Sequence, residues 1–334
     1  MKIRIGICGY GNLGRGAEAG IAQNPDMELV AVFTRRKPVE SLKINSDVPV
    51  VHVSDVEDWK DKIDVMILCG GSAKDLPYQT PKLAKIFNTV DSFDTHAKIP
   101  EYFKTVDAAA IEGGKISIIS IGWDPGLFSV MRLFASSVLP SGDTHTFWGP
   151  GVSQGHSDAI RRIDGVADAI QYTIPIDEAV ERVKSGEKVE FSTREKHKRV
   201  CYVAMDSICD EEDKARIEKE IIEKEIKEMP NYFADYDTTV NFISRFDLNQ
   251  NHGKLMHGGQ VIHAGKTGYD NNQVIEFSLK LDSNPEFTAS VLLAYARAAY
   301  RLSIKGESGA KTIFDIPPIL LSSRDRDDVV KDLL

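Results

Sequence analysis

The sequence predicts an α/β protein. An amino-terminal Rossmann-type, doubly wound parallel sheet is followed by an α+β region built on an open mixed sheet. Three observations carry that expectation. Strand and helix patterns alternate through the first third of the chain. A G-x-G-x-x-G run stands at the first strand-to-helix junction. Beyond residue 144, strand-like segments dominate and helical ones are few.

The first strand is the apolar run Lys2 to Cys8. Gly9-Tyr10-Gly11-Asn12-Leu13-Gly14 follows at once, and Arg15 to Gln23 can be helical. In such a turn Gly9 permits the bend, Gly11 lets the backbone approach a pyrophosphate, and Gly14 lets the helix close on the strand. The free N–H groups at the helix start hold the phosphates. A second strand, Met27 to Phe33, ends where an NAD-binding protein places an acid against the ribose. Here stand Thr34, Arg35 and Arg36, a hydroxyl and two cations suited to a 2′-phosphate, so the cofactor read is NADP(H). The plain alternative is two surface cations.

Val48 to Val53 is a third strand, and Ile63 to Cys69 a fourth that closes in Gly70-Gly71-Ser72. That end lies at the carboxyl edge of the sheet, so Cys69, Gly70 and Ser72 are expected to border the cofactor. A helix over Pro77 to Phe87 leads to a fifth strand, Asn88 to Phe93, ending at Asp94. A helix over Ile99 to Gly113 leads to a sixth, Lys115 to Ile121, ending at Gly122-Trp123-Asp124-Pro125-Gly126.

Phe128 to Val138 reads as a helix. The strands that follow are Thr144 to Trp148, Ala169 to Ile174, His197 to Met205, Thr238 to Ile243, Gln260 to Ala264 and Gln273 to Leu281, which suggests one open, largely antiparallel sheet. Asp210 to Met229 is the clearest helix there, its many Glu and Lys residues reading as a solvated face. Asn284-Pro285 starts a last long helix, to about Ile304, with Asn as cap and Pro at the first position. The expected division is 1–122 with 285–334 as a dinucleotide-binding domain, and 123–284 as a second domain.

Composition excludes several classes. The chain has 334 residues, 42% of them hydrophobic and 27% charged, as in ordinary soluble globular proteins. A net charge of −9 with scattered cations argues against nucleic acid. No apolar run reaches the roughly 20 residues of a membrane span, and no signal-peptide core follows Lys2 and Arg4. Cys8, Cys69, Cys201 and Cys209 form no zinc-ligand cluster, no metal is expected, and a reducing cytoplasm is the natural compartment.

Asp94 and Asp124 stand at two strand ends, where open α/β sheets bind ligands. A helix cap and a turn start are the plain alternatives. The stretch His145 to Asp158 runs from a strand into Gly149, Gly151, Gln154, Gly155 and His156. It suits a small polar ligand, or equally a hairpin-like turn capped by Ser157. No G-x-S-x-G elbow supports a serine hydrolase. Arg199 on its strand can grip a carboxylate with two N–H groups, or face solvent. His257 precedes Gly258-Gly259, where backbone can approach a ligand; alone it is as readily structural.

Together these stretches resemble the meso-diaminopimelate dehydrogenases along essentially the whole chain. The resemblance rests on Gly9 to Arg15, Phe33-Thr34-Arg35-Arg36, Gly122 to Gly126, Thr146 to Gly151, Ser153 to Asp158, His257-Gly258-Gly259 and Asn284-Pro285. It implies a Rossmann domain, a central region building a homodimer and the substrate site, and a carboxyl-terminal return to the Rossmann domain. It implies that Asp94, Trp123, Asp124, Trp148, Gln154, Gly155, Thr173, Arg199, His257 and Asn284 line the diaminopimelate pocket. The implied reaction converts meso-2,6-diaminopimelate, NADP⁺ and water to L-2-amino-6-oxopimelate, ammonium and NADPH. Asp94 and Asp124 would hold the reacting ammonium, and Thr173, Arg199, His257 and Asn284 the distal L-end. A base must take the ammonium proton; Asp124 is the first candidate and His156 the second. Two other readings stay open: another NADP oxidoreductase of similar plan, such as a dihydrodipicolinate-reductase-like or homoserine-dehydrogenase-like enzyme, and a non-catalytic NADP(H) sensor.

Overall fold

The computed structural model describes residues 2–206 and 212–334. Cys209 and the first two residues of the helix expected from Asp210 lie outside the described residues. The chain forms two compact units, Met1–Val130 with Pro285–Leu334, and Met131–Asn284. The first unit therefore runs past the expected boundary at 122. The turn at Trp123–Gly126 runs directly into the helix that follows it: Leu127 N–H donates to Gly122 O (3.1 Å) and Phe128 N–H to Trp123 O (2.8 Å).

In the first unit β1 (Ile3–Cys8), α1 (Asn12–Ala22), β2 (Met27–Thr34), β3 (Val50–His52), β4 (Val65–Leu68), α2 (Leu76–Ala84), β5 (Asn88–Asp91), α3 (Ile99–Gly113) and β6 (Ile116–Ile118) follow in order. α4 (Leu127–Val138) begins in this unit and ends in the second. The second unit holds β7 (Asp143–Trp148), β8 (Gly151–Val152), α5 (Gln154–Ile160), β9 (Val166–Pro175), α6 (Asp177–Lys184), α7 (Thr193–Lys196), β10 (His197–Met205), α8 (Glu212–Glu228), β11 (Asp237–Phe242), α9 (Arg245–His252), β12 (His257–Thr267) and β13 (Asn271–Leu281). α10 (Asn284–Ser303), β14 (Gly309–Lys311) and α11 (Arg326–Leu333) complete the chain.

The first unit's sheet is parallel throughout, in the order β14-β6-β5-β4-β1-β2-β3. Its strands read as near-continuous apolar runs because both faces are covered. Ile5, Ile7, Val65 and Ile67 pack with Ala17 and Ile21 of α1 and with Leu292 and Ala296 of α10. Met66 and Leu68 face the other way, toward Leu76 and Leu83 of α2 and Val106 and Ala110 of α3. α10 lies close on α1 through Gly16, where an added Cβ would stand 3.0 Å from Pro285 O. Buried Arg297 anchors α10 by pairing with Asp26 (2.5 Å) and donating to Asn24 Oδ1 (2.8 Å) and Leu321 O (2.8 Å). β14 was not expected: three residues beginning with Gly309 carry no readable period.

The second unit corrects the expectation of one largely antiparallel sheet. It has two: β11-β10-β9-β8, in which β10 and β11 run parallel, and an antiparallel β13-β12-β7. The chain changes sheets at Gly149, whose φ of 98° suits glycine and bends the backbone between β7 and β8. α5 and α8 cover the four-stranded sheet through Ile160, Ile222 and Ile226, and α6 covers the three-stranded one through Val180 and Val183. α5, α6, α7 and α9 were not expected. α5 replaces the capped hairpin-like turn, with Ser153 in the N-cap position; Ser157 instead donates its hydroxyl to Ser153 O (2.7 Å).

Candidate active site

In the first unit the G-x-G-x-x-G turn meets the stereochemical demands of a phosphate cradle. Gly9 has φ 97°, and a Cβ on Gly14 would stand 2.3 Å from Gly9 O. A Cβ on Gly11 would meet nothing within 4 Å, so the backbone there is open to a ligand. Asn12, Leu13 and Gly14 form the first turn of α1, whose N–H groups face outward from its start. A cleft of about 340 Å³ is bordered by Gly9, Tyr10, Gly11, Thr34, Arg35, Arg36, Cys69, Gly70 and Gly71. Those groups fit a dinucleotide with a 2′-phosphate: glycine backbone for the pyrophosphate, two cations beyond β2 for the extra charge. Ser72, in the same loop, accepts at Oγ from Asp94 N–H (2.9 Å). Burial pushes the Cys8 thiol up to about 12 and raises that of Cys69, so neither is a thiolate at neutral pH.

Two acids that the sequence reading missed shape this cleft. Asp75 grips Arg35 with both oxygens (2.7 and 3.1 Å) and accepts from Gly71 N–H (2.9 Å). Arg35 is thus both a cation and a strut for the glycine loop after β4, whereas Arg36 is exposed, its backbone N–H donating to Thr34 Oγ1 (3.1 Å). Burial works against the Asp75 charge, but Gly71 and Arg35 bring its pKa below the usual value. Glu18 on α1 accepts from the Tyr10 hydroxyl, Ser46 Oγ–H (2.6 Å), Ser46 N–H (2.8 Å) and Asn45 N–H (3.0 Å). An acid among the glycines and alanines of α1 was the available signal.

Asp94 is exposed beyond β5, and Asp124 is half-buried beyond the neighbouring β6. The turn holding Asp124 is stiff. Trp123 is buried and meets Phe128 edge-on at 5.2 Å, and a Cβ on Gly126 (φ 137°) would stand 1.8 Å from Gly122 O. Asp91, fully buried, ties both loops. It accepts from Thr80 Oγ1 (2.9 Å), the Tyr102 hydroxyl (2.6 Å), Phe93 N–H (3.0 Å) and Ser120 N–H (3.0 Å).

In the second unit, β9 and β10 bring Thr173 and Arg199 opposite each other, and Arg199 donates to Thr173 Oγ1. Arg199 is buried, stacks on Tyr236 at 3.9 Å, and has no carboxylate partner among the described residues. Its Nε has no hydrogen-bond partner, and burial lowers its pKa. A buried guanidinium in that state is primed for an incoming anion. Gly149 packs against the same place: a Cβ there would stand 2.1 Å from Thr173 O. Trp148, 40% exposed, donates its backbone N–H to His197 Nε2 (2.9 Å) and stacks on that ring at 5.5 Å. Accepting this bond requires neutral His197, and burial followed by the charges of Lys196 and Arg199 pulls its pKa down to about 3.

Gln154 and Gly155 are exposed at the start of α5, and His257 packs against Gly151, whose added Cβ would stand 2.5 Å from His257 Cα. Asn284 donates its N–H to Leu255 O (2.9 Å) where α10 begins. His156 is a poor base here. Its Nδ1 lies 2.6 Å from Ser153 Oγ, and burial plus the charge of Arg199 lowers its pKa to about 4. Among the described residues no group of His, Cys, Asp and Glu could hold a metal, and no helix is long and apolar enough to cross a membrane.

Residues 122–283 match the family described as diaminopimelic acid dehydrogenase C-terminal domain. The meso-diaminopimelate D-dehydrogenase of Ureibacillus thermosphaericus is 63% identical over 333 residues, which cover 100% of this chain and 99% of that one. A six-substitution variant of the Clostridium tetani meso-diaminopimelate dehydrogenase, solved with diaminopimelate, superposes with a TM-score of 0.91 at 53% identity and full coverage of both chains. An engineered D-amino acid dehydrogenase bound to NADP⁺ superposes with a TM-score of 0.85 at 42% identity, again over 100% of both.

Proposed function

Because the chain belongs to the meso-diaminopimelate dehydrogenase family, we propose that it oxidatively deaminates the D-centre of meso-2,6-diaminopimelate with NADP⁺, giving L-2-amino-6-oxopimelate and ammonium. The observation that carries this reading is buried Arg199, bonded to Thr173 and without a carboxylate partner among the described residues. A non-catalytic sensor has no use for such a group, and a simple D-amino acid has no distal carboxylate to meet it.

Gly9, Tyr10, Gly11, Asn12, Leu13 and Gly14 hold the pyrophosphate of NADP, Thr34, Arg35 and Arg36 its 2′-phosphate, and Cys69, Gly70 and Ser72 border it. When bound, NADP⁺ would supply the hydride acceptor for the D-centre. Asp94 and Asp124 hold the reacting ammonium by charge. Asp124 accepts its proton, because only the neutral amine can assist loss of hydride. Water then adds to the resulting imine carbon, and ammonia leaves. Thr173, Arg199, His257 and Asn284 read the distal L-end, and Trp123, Trp148, Gln154 and Gly155 wall the substrate. The protein works as a cytoplasmic homodimer. Leu133, Phe134 and Val138 on α4, each more than half exposed, support a partner copy.

The test is absorbance at the reduced-nicotinamide band. NADP⁺ with meso-diaminopimelate should give sustained turnover, and NAD⁺, D-alanine and the LL isomer little. No turnover of meso-diaminopimelate with either cofactor would sink the proposal. Light scattering at working concentration gives the oligomer; a monomer refutes the dimer.

A further inference from the structure

Gln171 is a fully buried amide on the face of β9 that also carries Thr173. Across the ladder Thr173 opposes Arg199 and Gln171 opposes Cys201, so these four side chains share one face of the sheet. Beyond them that face is apolar: Ala169, Cys201, Val203 and Phe233 are all buried in one cluster. Leu or Met would fill the position of Gln171 without burying an amide. A glutamine there needs a reason.

Its hydrogen bonds supply one. Gln171 Nε2 donates to Thr173 Oγ1 (3.5 Å), and Arg199 donates to the same oxygen. A hydroxyl oxygen has two lone pairs and one proton. With both lone pairs engaged, the Thr173 proton is available only as a donor. Thr173 and Arg199 then offer donors alone, the pattern a carboxylate needs. Among the described residues, Gln171 Oε1 and Arg199 Nε are meanwhile both buried without a hydrogen-bond partner. An unmet acceptor and an unmet cationic donor, each one bond from Thr173 Oγ1, complement the two poles of an α-amino-acid head group.

We propose that Gln171 is a positioning and selectivity residue for the distal zwitterionic end of the substrate: its amide N–H fixes Thr173 as a donor to the distal carboxylate, and its Oε1 accepts from the distal ammonium across one bridging water. This rests on the assignment of Thr173 and Arg199 to the distal end. The main chain of Gln171 is bonded separately, donating to Ser157 Oγ (3.0 Å) and accepting from Ser153 N–H (3.0 Å). Those bonds do not depend on the side chain, so the start of α5 survives its substitution.

The test compares the full-length wild-type enzyme with Gln171→Leu and Gln171→Glu at saturating NADP⁺. The substrates are meso-diaminopimelate and D-2-aminopimelate, which keeps the distal carboxylate and lacks the distal ammonium. Gln171→Leu should raise KM for meso-diaminopimelate about tenfold, as loss of one buried hydrogen bond does. Its kcat should stay within about twofold and KM for NADP⁺ should not move, while preference for meso-diaminopimelate over D-2-aminopimelate shrinks. Gln171→Glu forces Thr173 to donate inward and sets a carboxylate beside Arg199, so it should raise KM for both substrates more than Gln171→Leu does. If Gln171→Leu does not fold, the Glu variant decides by its KM for meso-diaminopimelate against its kcat. An unchanged KM for meso-diaminopimelate, or a loss confined to kcat, overturns the proposal. So does an unchanged preference between the two substrates. A wild-type enzyme that ignores meso-diaminopimelate removes the functional reading itself, a distinct result.

Discussion

Replacing Arg199 by Met should separate binding from stability. In the protein alone, Arg199 is 6% exposed, and its guanidinium rests on Tyr236, bonds Thr173 and pairs with no carboxylate among the described residues. Removing a buried, unpaired cation in favour of an apolar side chain of similar length is typically neutral or stabilising, by up to roughly 1–4 kcal/mol. The melting temperature should therefore hold or rise. With substrate the sign reverses. A charge-assisted hydrogen bond contributes about 1.5–3 kcal/mol, and deleting one partner of a buried ion pair costs roughly 3–5 kcal/mol. At about 1.4 kcal/mol per tenfold, kcat/KM for meso-diaminopimelate should fall by about 10²–10³. Activity on D-amino acids with uncharged tails should fall little or rise, since they no longer strand a buried charge. Arg199→Lys keeps the charge without the planar fork and should recover only part of the loss. The assay is a thermal melt and steady-state kinetics with both substrate classes. A melting temperature several degrees lower, with the same factor lost on both classes, would refute the reasoning and make Arg199 a structural cation.

Three other outcomes follow from the geometry. Arg36→Ala should weaken NADP⁺ by about 10- to 100-fold and leave NAD⁺ unchanged; Arg35→Ala should weaken both, because Arg35 also braces the Gly71 loop through Asp75; equal effects from the two variants in cofactor titrations contradict this split. Asp124→Asn keeps shape and removes the base, so its loss should fall mainly on kcat, and a wild-type kcat with only a raised KM would reduce Asp124 to a binding group. His197 titrates near 6.5 when unfolded and near 3 when folded, so the unfolded chain binds more protons and stability is lost as pH falls through that window; His197→Gln, whose amide oxygen can still accept from Trp148, should flatten the dependence of melting temperature on pH between about 6.5 and 4, and parallel curves for the two proteins contradict the assignment.

Local patterns were legible and relations between distant segments were not. β10 and α3 stand where their periodicities placed them, His197–Met205 and Ile99–Gly113. α5 was missed because Gln154-Gly155-His156-Ser157 follows glycines and reads as loop chemistry, and the helix has only two apolar residues, Ala159 and Ile160. The second sheet was missed because a strand's pattern names its buried face, not its neighbour. β7 joins β12, setting Trp148 opposite Gly259, more than a hundred residues away in the chain. His156 read as a second base from its residue type, and only burial beside Arg199 makes it a weak one.

By itself the sequence determined the first strand, the glycine turn with its positive-φ Gly9, the helix that follows and the cations beyond β2, because period, chirality and charge act within a few residues. The whole-chain motif pattern determined the family. Tertiary structure alone decided that Arg35 is clasped by Asp75, that Asp91 holds the loops of Asp94 and Asp124, and that Arg199 and Gln171 are buried with unmet hydrogen bonds. Burial and pairing are properties of strands brought together across tens of residues. They set whether a charge is shielded by water or must wait for a ligand to compensate it.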